Sequence, residues 1–417
     1  MKIGYACLAL GVPGGQIKSC TRKNATEGRL LSLIEHNLQA LQRILAYNIK
    51  NGIKLFRISS DLIPFGSSLA QELPWPTIYR DRLHAIGSQI RSAGIRVSMH
   101  PGQYTVLNSP DRSVADRAKE DLAYHAQVLT SLQLGPEHKI VLHLGGVYGD
   151  KRQAVNRFYG RYTELEWVIK ERLVLENDDR LFGIGDVLGV ALAAGIPVVY
   201  DNLHNAVNPS DESPGDLDWI KRCAETWTRD DGPQKIHYAQ QHPHKKPGAH
   251  SDTIEIATFL PFYEDVARGD LDIMLEVKDK NVSALKCLNC ISNRGLKSLG
   301  LDWERHKYSV LERSPENYDA ICELLAVQGS YPALEMYRRV EASLNMPVKA
   351  ETALFAATHV WKCLQDRVSE SEERRFQRAL HKLATGQGDL RLVKNTLLTL
   401  ARKYGHEQLL SAYYLYL

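Results

Sequence analysis

The chain reads as an α/β protein, with a closed parallel (β/α)8 TIM barrel over residues 1–303 and an all-α domain over 304–417. Short apolar runs rich in β-branched residues alternate with longer stretches of helical periodicity, eight runs in all. Eight parallel strands is the number that closes a barrel, and past residue 303 the strand-like runs stop.

The first strand falls near residues 2–6. A helix over 27–50 follows, with Leu30, Leu31, Ile34, Leu38, Leu41 and Leu45 at helical spacing. Gly52 sits where a helix C-cap belongs, and the second strand runs from Ile53 to Ile58. The alternation continues through helix 78–93 and strand 95–100, then helix 113–133 and strand 139–143. Helix 152–169 precedes strand 172–176, and helix 184–194 precedes strand 196–200. Helices 215–228 and 252–268 lead to strands 234–238 and 271–276. Gly52-Ile53, Gly94-Ile95 and Gly195-Ile196 repeat one helix-stop, strand-start punctuation. Residues 305–417 read as four or five helices, among them Glu351–Leu364, Ser371–Ala384 and Leu390–Tyr404, with Gly386-Gln-Gly388 breaking the last two apart. The basic and aromatic residues there (Arg374, Arg375, Arg378, Lys382, Lys403, Tyr413, Tyr414) read as a solvated helix side over a core stripe rather than a nucleic-acid face.

Composition permits this and excludes little. Hydrophobic content of 44% and charged content of 24% suit an ordinary globular chain. A net charge of +3 gives a weak global field, so a nucleic-acid partner would need a local basic surface. No apolar run approaches the roughly 20 residues that span a bilayer, and the N-terminus opens directly on a strand. A cytoplasmic protein with no membrane partner and no nucleotide cofactor is the expectation. Seven cysteines at irregular spacing make no disulfide framework, and Cys287-Leu-Asn-Cys290 reads as two reduced thiols on a helix.

Function is read from the strand ends. Six runs finish on, or reach, a metal-binding residue: Val97-Ser98-Met99-His100, Ile140-Val141-Leu142-His143, Leu173-Val174-Leu175-Glu176, Val198-Val199-Tyr200-Asp201, Gln234-Lys235-Ile236-His237 and Ile273-Met274-Leu275-Glu276. A parallel barrel rings one mouth with these ends. Buried unpaired carboxylates cost several kcal/mol each, so Glu176, Asp201 and Glu276 need cations between them. Imidazole with carboxylate suits Zn²⁺, Mn²⁺ or Fe²⁺, and no Cys stands among the candidates, which argues against a structural zinc site. Neighbouring ions bridge the attacking and leaving oxygens of phosphoryl transfer, so the class is a metal-dependent hydrolase or isomerase. His204 lies one turn past the sixth strand, and His250 follows the seventh. Lys235 shares a strand face with His237, so it must lose its charge or become a carbamate, since a protonated lysine repels ions.

Five motifs carry a resemblance: Arg57-Ile-Ser-Ser-Asp-Leu-Ile-Pro-Phe65, Met99-His-Pro-Gly-Gln-Tyr104, Leu142-His-Leu-Gly-Gly-x-Tyr-Gly149, Leu175-Glu-Asn-Asp-Asp179 and Pro247-Gly-Ala-His250. In order and spacing they resemble the ultraviolet damage endonucleases over residues 2–285. The resemblance implies a barrel related to endonuclease IV and a site for up to three divalent ions, usually manganese. It also implies hydrolysis immediately 5′ of photoproducts (cyclobutane dimers, 6-4 products, abasic sites) in damaged double-stranded DNA, leaving a 3′-hydroxyl and a 5′-phosphate. The implied ligands are His100, His143, Glu176, Asp201, His204, His237, His250 and Glu276. Glu176 would bridge two ions, a carboxylated Lys235 would join them, and Glu176, Lys235, His237 and Glu276 would carry catalysis. Gln103 and Tyr104 would insert into the duplex opposite the lesion, with Tyr5 also contacting DNA.

Two positions depart from the family: Ala9 stands where many members have Asn, and Ser68 where they have His. His306-Lys-Tyr308, Ser314-Pro-Glu-Asn-Tyr318 and Leu409 to Leu417 resemble a YbgA-type helical domain, which assigns no activity. The competing readings are a sugar isomerase of the xylose isomerase type and a catalytically weakened lesion-binding protein, with Ala9 and Ser68 as signs of decay.

Overall fold

The computed structural model describes residues 1–210, 214–267, 269–327 and 329–417. Eight strands, β1 (Ile3–Ala6), β2 (Leu55–Arg57), β3 (Arg96–Met99), β4 (Lys139–His143), β5 (Leu173–Glu176), β6 (Val198–Asp201), β7 (Gln234–Tyr238) and β8 (Leu271–Leu275), pair in sequence order and close into a parallel barrel. Closure is the β1–β8 pairing, with Tyr5 opposite Leu275. Register then matters for chemistry. His143 lies opposite Glu176, and Asp201 lies opposite His237. Each of these pairs thus brings two candidate ligands side by side at the mouth.

The barrel's N-terminal end is plugged by paired charge. Arg96 meets Asp272 at 3.1 Å and also donates to the Pro233, Asp231 and Glu137 carbonyls. Lys139 pairs with Asp231 at 2.5 Å. Each buried ion has a partner and hydrogen bonds, which is the condition for burying it.

Tyr5 corrects one expectation. Its side chain is fully buried, its hydroxyl donates to Asn48 Oδ1 at 2.7 Å, and its ring packs edge-on against Phe56. Asn48 belongs to the helix Glu27–Lys50, so Tyr5 sits on the helix-facing side of β1 and cannot reach DNA.

Several helices are shorter than periodicity suggests. The segment 78–93 divides into Trp75–Ile78 and Arg80–Ser92, and 152–169 into Lys151–Thr163 and Trp167–Lys170. Helix Asp216–Ala224 stops before residue 228 because Thr226 and Trp227 turn back on β6. Thr226 Oγ1 accepts from Val198 N, and Trp227 Nε1 donates to Val198 O. Helix Ile256–Val266 begins late because Ser251 and Ile254 are tied into the loop, by Ser251 Oγ to Thr253 O and Ile254 N to Ser283 Oγ. The expected end at 268 lies outside the described residues.

The chain forms two compact units: residues 1–9, 14–254 and 258–284, and residues 10–13, 255–257 and 285–417. The helix Leu296–Leu311 runs straight through residue 303, and a helical pattern contains nothing that would mark a border there. Within the second unit seven helices follow residue 295 among the described residues, more than four or five, because short ones (Pro315–Ala326, Glu407–Ser411) merge in a periodicity reading. Trp361 stacks on Phe376 at 4.1 Å in one core cluster, and Trp303, Ile321 and Tyr337 build another. His306 is buried there against Tyr413, so this motif histidine has a packing role. All seven cysteines are free. Among the described residues no helix is long and apolar enough to cross a membrane.

Gly4 is required by the closeness of β1 to β2. A Cβ there would lie 1.9 Å from the Leu55 carbonyl oxygen, which is backbone and cannot move aside. Gly4→Ala should lower stability by at least the roughly 1–3 kcal/mol typical of overpacking. An unchanged melting temperature would show that β1 is not held this tightly.

A candidate metal centre at the barrel mouth

Glu176 sits at the end of β5, almost wholly buried, and its two oxygens face different histidines. Oε2 is 2.9 Å from His100 Nε2 and 3.5 Å from His143 Nε2. Oε1 is 2.5 Å from His237 Nδ1 and 3.7 Å from His204 Nδ1. Two groups of side chains that could hold a metal ion therefore share Glu176, with candidate ligand atoms inside 4.8 Å of one another: His100, His143 and Glu176, and Glu176, Asp201, His237 and Glu276. All six strand-end residues singled out in the sequence belong to them.

His204 and His250 stand just outside. His204 is held by a hydrogen bond between Nδ1 and the Asn177 carbonyl at 2.8 Å, leaving its other nitrogen free to face an ion. His250 Nδ1 is 3.9 Å from Glu276 Oε2. A hairpin returns it to the mouth, through Ser251 N to Gln240 O and a Gln241–His250 bridge. The rings of His143, His204 and His250 succeed one another at 5.7 and 6.5 Å.

The motif Glu176-Asn-Asp-Asp179 divides its work. Asn177 locks β5 to β6, donating to Asp201 O at 3.0 Å and accepting from Asp201 N at 2.9 Å. Asp178 closes the loop by accepting from the amides of Arg180, Leu181 and Phe182. Asp179 lies against Gly248, whose left-handed φ of +81° and lack of a side chain let the two loops meet.

Arg57 belongs to the site, although only its place in a family motif hinted at it. From the end of β2 it donates to Glu276 Oε1 at 2.5 Å, and it lies 2.9 Å from His237 Nε2. The signal available was a cation closing a strand where the other ends carry ligands. Ser60, three residues on, donates to the His100 carbonyl at 2.8 Å and so positions the loop after β3.

Electrostatics separate the carboxylates. Burial pushes Glu176 up, but His237, His143 and hydrogen bonds from His100 outweigh it and hold the group well below the ordinary glutamate range. Glu276 is also pushed up by burial, yet Arg57 and His237 bring it far down. Asp201 goes the other way. Burial, helped by Glu176 and Glu276 and opposed by His204, raises its carboxyl to about 7. Burial lowers His100 to about 4. His204 resists burial and rises to about 9, because Asp201, Glu176 and Glu276 favour its proton. Lys235 is buried one step deeper on β7 than His237. Burial, then Arg96 and Arg57, push its ammonium well below the ordinary lysine range.

The residues fit divalent cations. Asp201 Oδ2 and His143 Nδ1 are buried with no hydrogen-bond partner among the described residues. An oxygen and an imidazole nitrogen left unsatisfied at a carboxylate-rich mouth are what a borderline or hard ion would take up.

Gln103 and Tyr104 are both exposed at the C-terminal side of β3, Tyr104 at 68%. Of the two departures, Ala9 is buried, and Ser68 is exposed with its hydroxyl on the Phe65 carbonyl.

Closed parallel barrel and ligand-lined mouth together define a (β/α)8 barrel protein with a candidate metal centre. A family described as UV-endonuclease UvdE matches residues 2–301, and one described as protein of unknown function (DUF1722) matches residues 307–417. The chain belongs to the UV-endonuclease UvdE family. It is similar to a UV DNA damage endonuclease of Clostridium perfringens, 38% identical over 91% of this chain and 92% of that protein. It is also similar to one from Bacillus velezensis, 34% identical over 66% of this chain and 88% of the relative. The crystal structure of SacUVDE covers 72% of this chain and 99% of its own, with 36% identity and a TM-score of 0.66.

Metal binding must displace the protons that Asp201 holds to about 7 and His204 to about 9. Both groups are protonated below those values, so affinity falls as pH falls. Mn²⁺ should therefore raise the melting temperature more at about pH 8.5 than at about pH 6. Equal shifts at both would show that neither proton competes with metal.

Proposed function

We propose that the chain is a metal-dependent DNA endonuclease that hydrolyses the phosphodiester immediately 5′ of ultraviolet photoproducts, with Mn²⁺ as the ion. The observation that carries this is the pair of ligand groups sharing Glu176 at the mouth of a UvdE-family barrel. His100 and His143 would hold an ion on one side of Glu176. Asp201, His237 and Glu276 would hold a second on the other, and His204 and His250 would offer a further position. Bound there, adjacent cations lower the pKa of a water and neutralise charge on attacking and leaving oxygens.

The chain's own groups supply the rest. Arg57 keeps Glu276 ionised and anchors the far side of His237. Gln103 and Tyr104 leave the barrel within four residues of His100, so inserting them beside a lesion would set the neighbouring phosphate over the ligands. On the opposite side of the ring, the hairpin after β7 carries exposed Lys245 and Lys246, suited to phosphate contacts. The isomerase reading gains no support from the family matched, and the intact ligand set speaks against the weakened-protein reading.

The test is nicking of ultraviolet-irradiated plasmid with Mn²⁺, with and without a chelator. Glu176→Gln removes the charge shared by both groups and should abolish nicking while leaving lesion binding measurable. A variant that still cuts at near wild-type rate with its metal content unchanged would sink the bridging role.

Lys235 is proposed as a carbamate. Buried between Arg57 and Arg96, a cation is disfavoured there, and adding carbon dioxide to the neutral amine would give an anion beside two guanidinium groups. Labelled bicarbonate should give a carbamate carbon signal that Lys235→Ala lacks. Wild-type protein that is fully metallated and active without that signal would end the idea.

A further inference from the structure

We propose that Tyr148 is a second aromatic that stacks on a nucleobase at the lesion, presented on the same rigid rim as Tyr104. This rests on the DNA endonuclease reading above. The two tyrosines are delivered alike. His100-Pro-Gly-Gln-Tyr104 follows β3, and His143-Leu-Gly-Gly-Val-Tyr148 follows β4, its neighbour in the barrel. Each segment leaves a metal-binding histidine and reaches an exposed tyrosine within five residues, and each has a glycine two positions before it. Those glycines lie against the rings. A Cβ at Gly102 would come 2.4 Å from a Tyr104 ring carbon, and one at Gly146 2.7 Å from a Tyr148 ring carbon.

Tyr148 is 48% exposed, yet it is held firmly. Its φ of +50° is left-handed, a conformation a bulky residue adopts only where its surroundings impose it. Arg157, on the helix Lys151–Thr163, places its guanidinium 5.4 Å from the ring centroid, and Arg157 Nη2 has no hydrogen-bond partner among the described residues. Its charge is thus directed at the ring, and the tyrosine stays about half exposed. Arg157 Nε also donates to the Asn108 carbonyl at 2.9 Å.

Asn108 joins the two loops. Its side chain accepts from Gly146 N at 3.1 Å and donates to Gly146 O at 2.8 Å. A Cβ at Gly145 would meet Asn108 Oδ1 at 2.4 Å, so the loops approach as closely as backbone allows. On the other side of Tyr104, Thr105 Oγ1 donates to buried Asp121 at 2.6 Å. Both rings therefore project from one hydrogen-bonded unit. A tyrosine needed merely for packing would be covered; this one is held by its neighbours and still half exposed. Stacking is the contact such a ring offers, and bases displaced from a damaged duplex supply the complementary flat face.

The experiment measures dissociation constants for a photoproduct duplex and an undamaged duplex at one fixed salt concentration, with nicking rates on the same damaged duplex. Tyr148→Ala should weaken damaged-duplex binding by about tenfold while undamaged binding stays within about twofold, as loss of one stacked base predicts. Tyr148→Phe should restore wild-type affinity. Tyr148→Leu, which keeps bulk over Gly146, should behave like Tyr148→Ala and stands in for it if the smaller residue unfolds the loop. Wild-type nicking with unaltered damaged-duplex binding in Tyr148→Leu, or an equal loss on both duplexes, overturns the proposal. Absence of wild-type nicking on irradiated DNA would instead remove the reading beneath it.

Discussion

Everything at the mouth depends on burying one carboxylate. Glu176 is nearly inaccessible, and burial by itself pushes its carboxyl towards the neutral form. Four histidines around its two oxygens reverse that, and a carboxylate kept ionised in so dry a place is a strong demand for cations. The surrounding architecture serves this demand. Parallel pairing sets His143 beside Glu176 and Asp201 beside His237 by register, and Asn177 fixes the spacing between β5 and β6. Arg57 supplies a positive charge that does not depend on pH.

The same dependence explains why the three carboxylates differ. Glu176 and Glu276 each have a strong positive or hydrogen-bonding neighbour and lie low. Asp201 is faced by two other carboxylates with His204 as its counterweight, and it lies high. One oxygen of Asp201 caps the following helix by accepting from His204 N at 2.8 Å, and its other oxygen is left unsatisfied. A single residue thus serves helix geometry with one atom and leaves the other for an ion to take up.

Much of this was legible in the chain. Strand ends are local: a β-branched run closing on His100 or Glu176 says both that a strand is there and where its chemistry lies. His204 and His250 were visible as residues but not as positions, because a hydrogen bond to Asn177 and a hairpin decide where their rings go. Arg57 was hidden by its sign, since a search for ligands passes over a cation. Tyr5 misled because a resemblance carries over a residue's role without showing which face of the strand its side chain takes. Asn48, forty-three positions away, settles that. The family matches change between residues 301 and 307, where the strand-like runs stop, while the compact units divide at 284/285, inside the helix Asn281–Ile291, where periodicity carries no mark.

Depth is the last consequence. Glu176 lies at the bottom of the mouth with about 1% of its surface open, whereas Tyr104 stands on the rim with 68% exposed. On the proposed reading, a straight, stiff duplex resting on that rim would keep its phosphates away from Glu176. A helix that gives way locally would bring a phosphate nearer, and duplexes with weakened stacking bend at the least cost. The recess would then sort DNA by mechanical compliance before any base is touched, and a tract of ordinary stiffness would be passed over without being read.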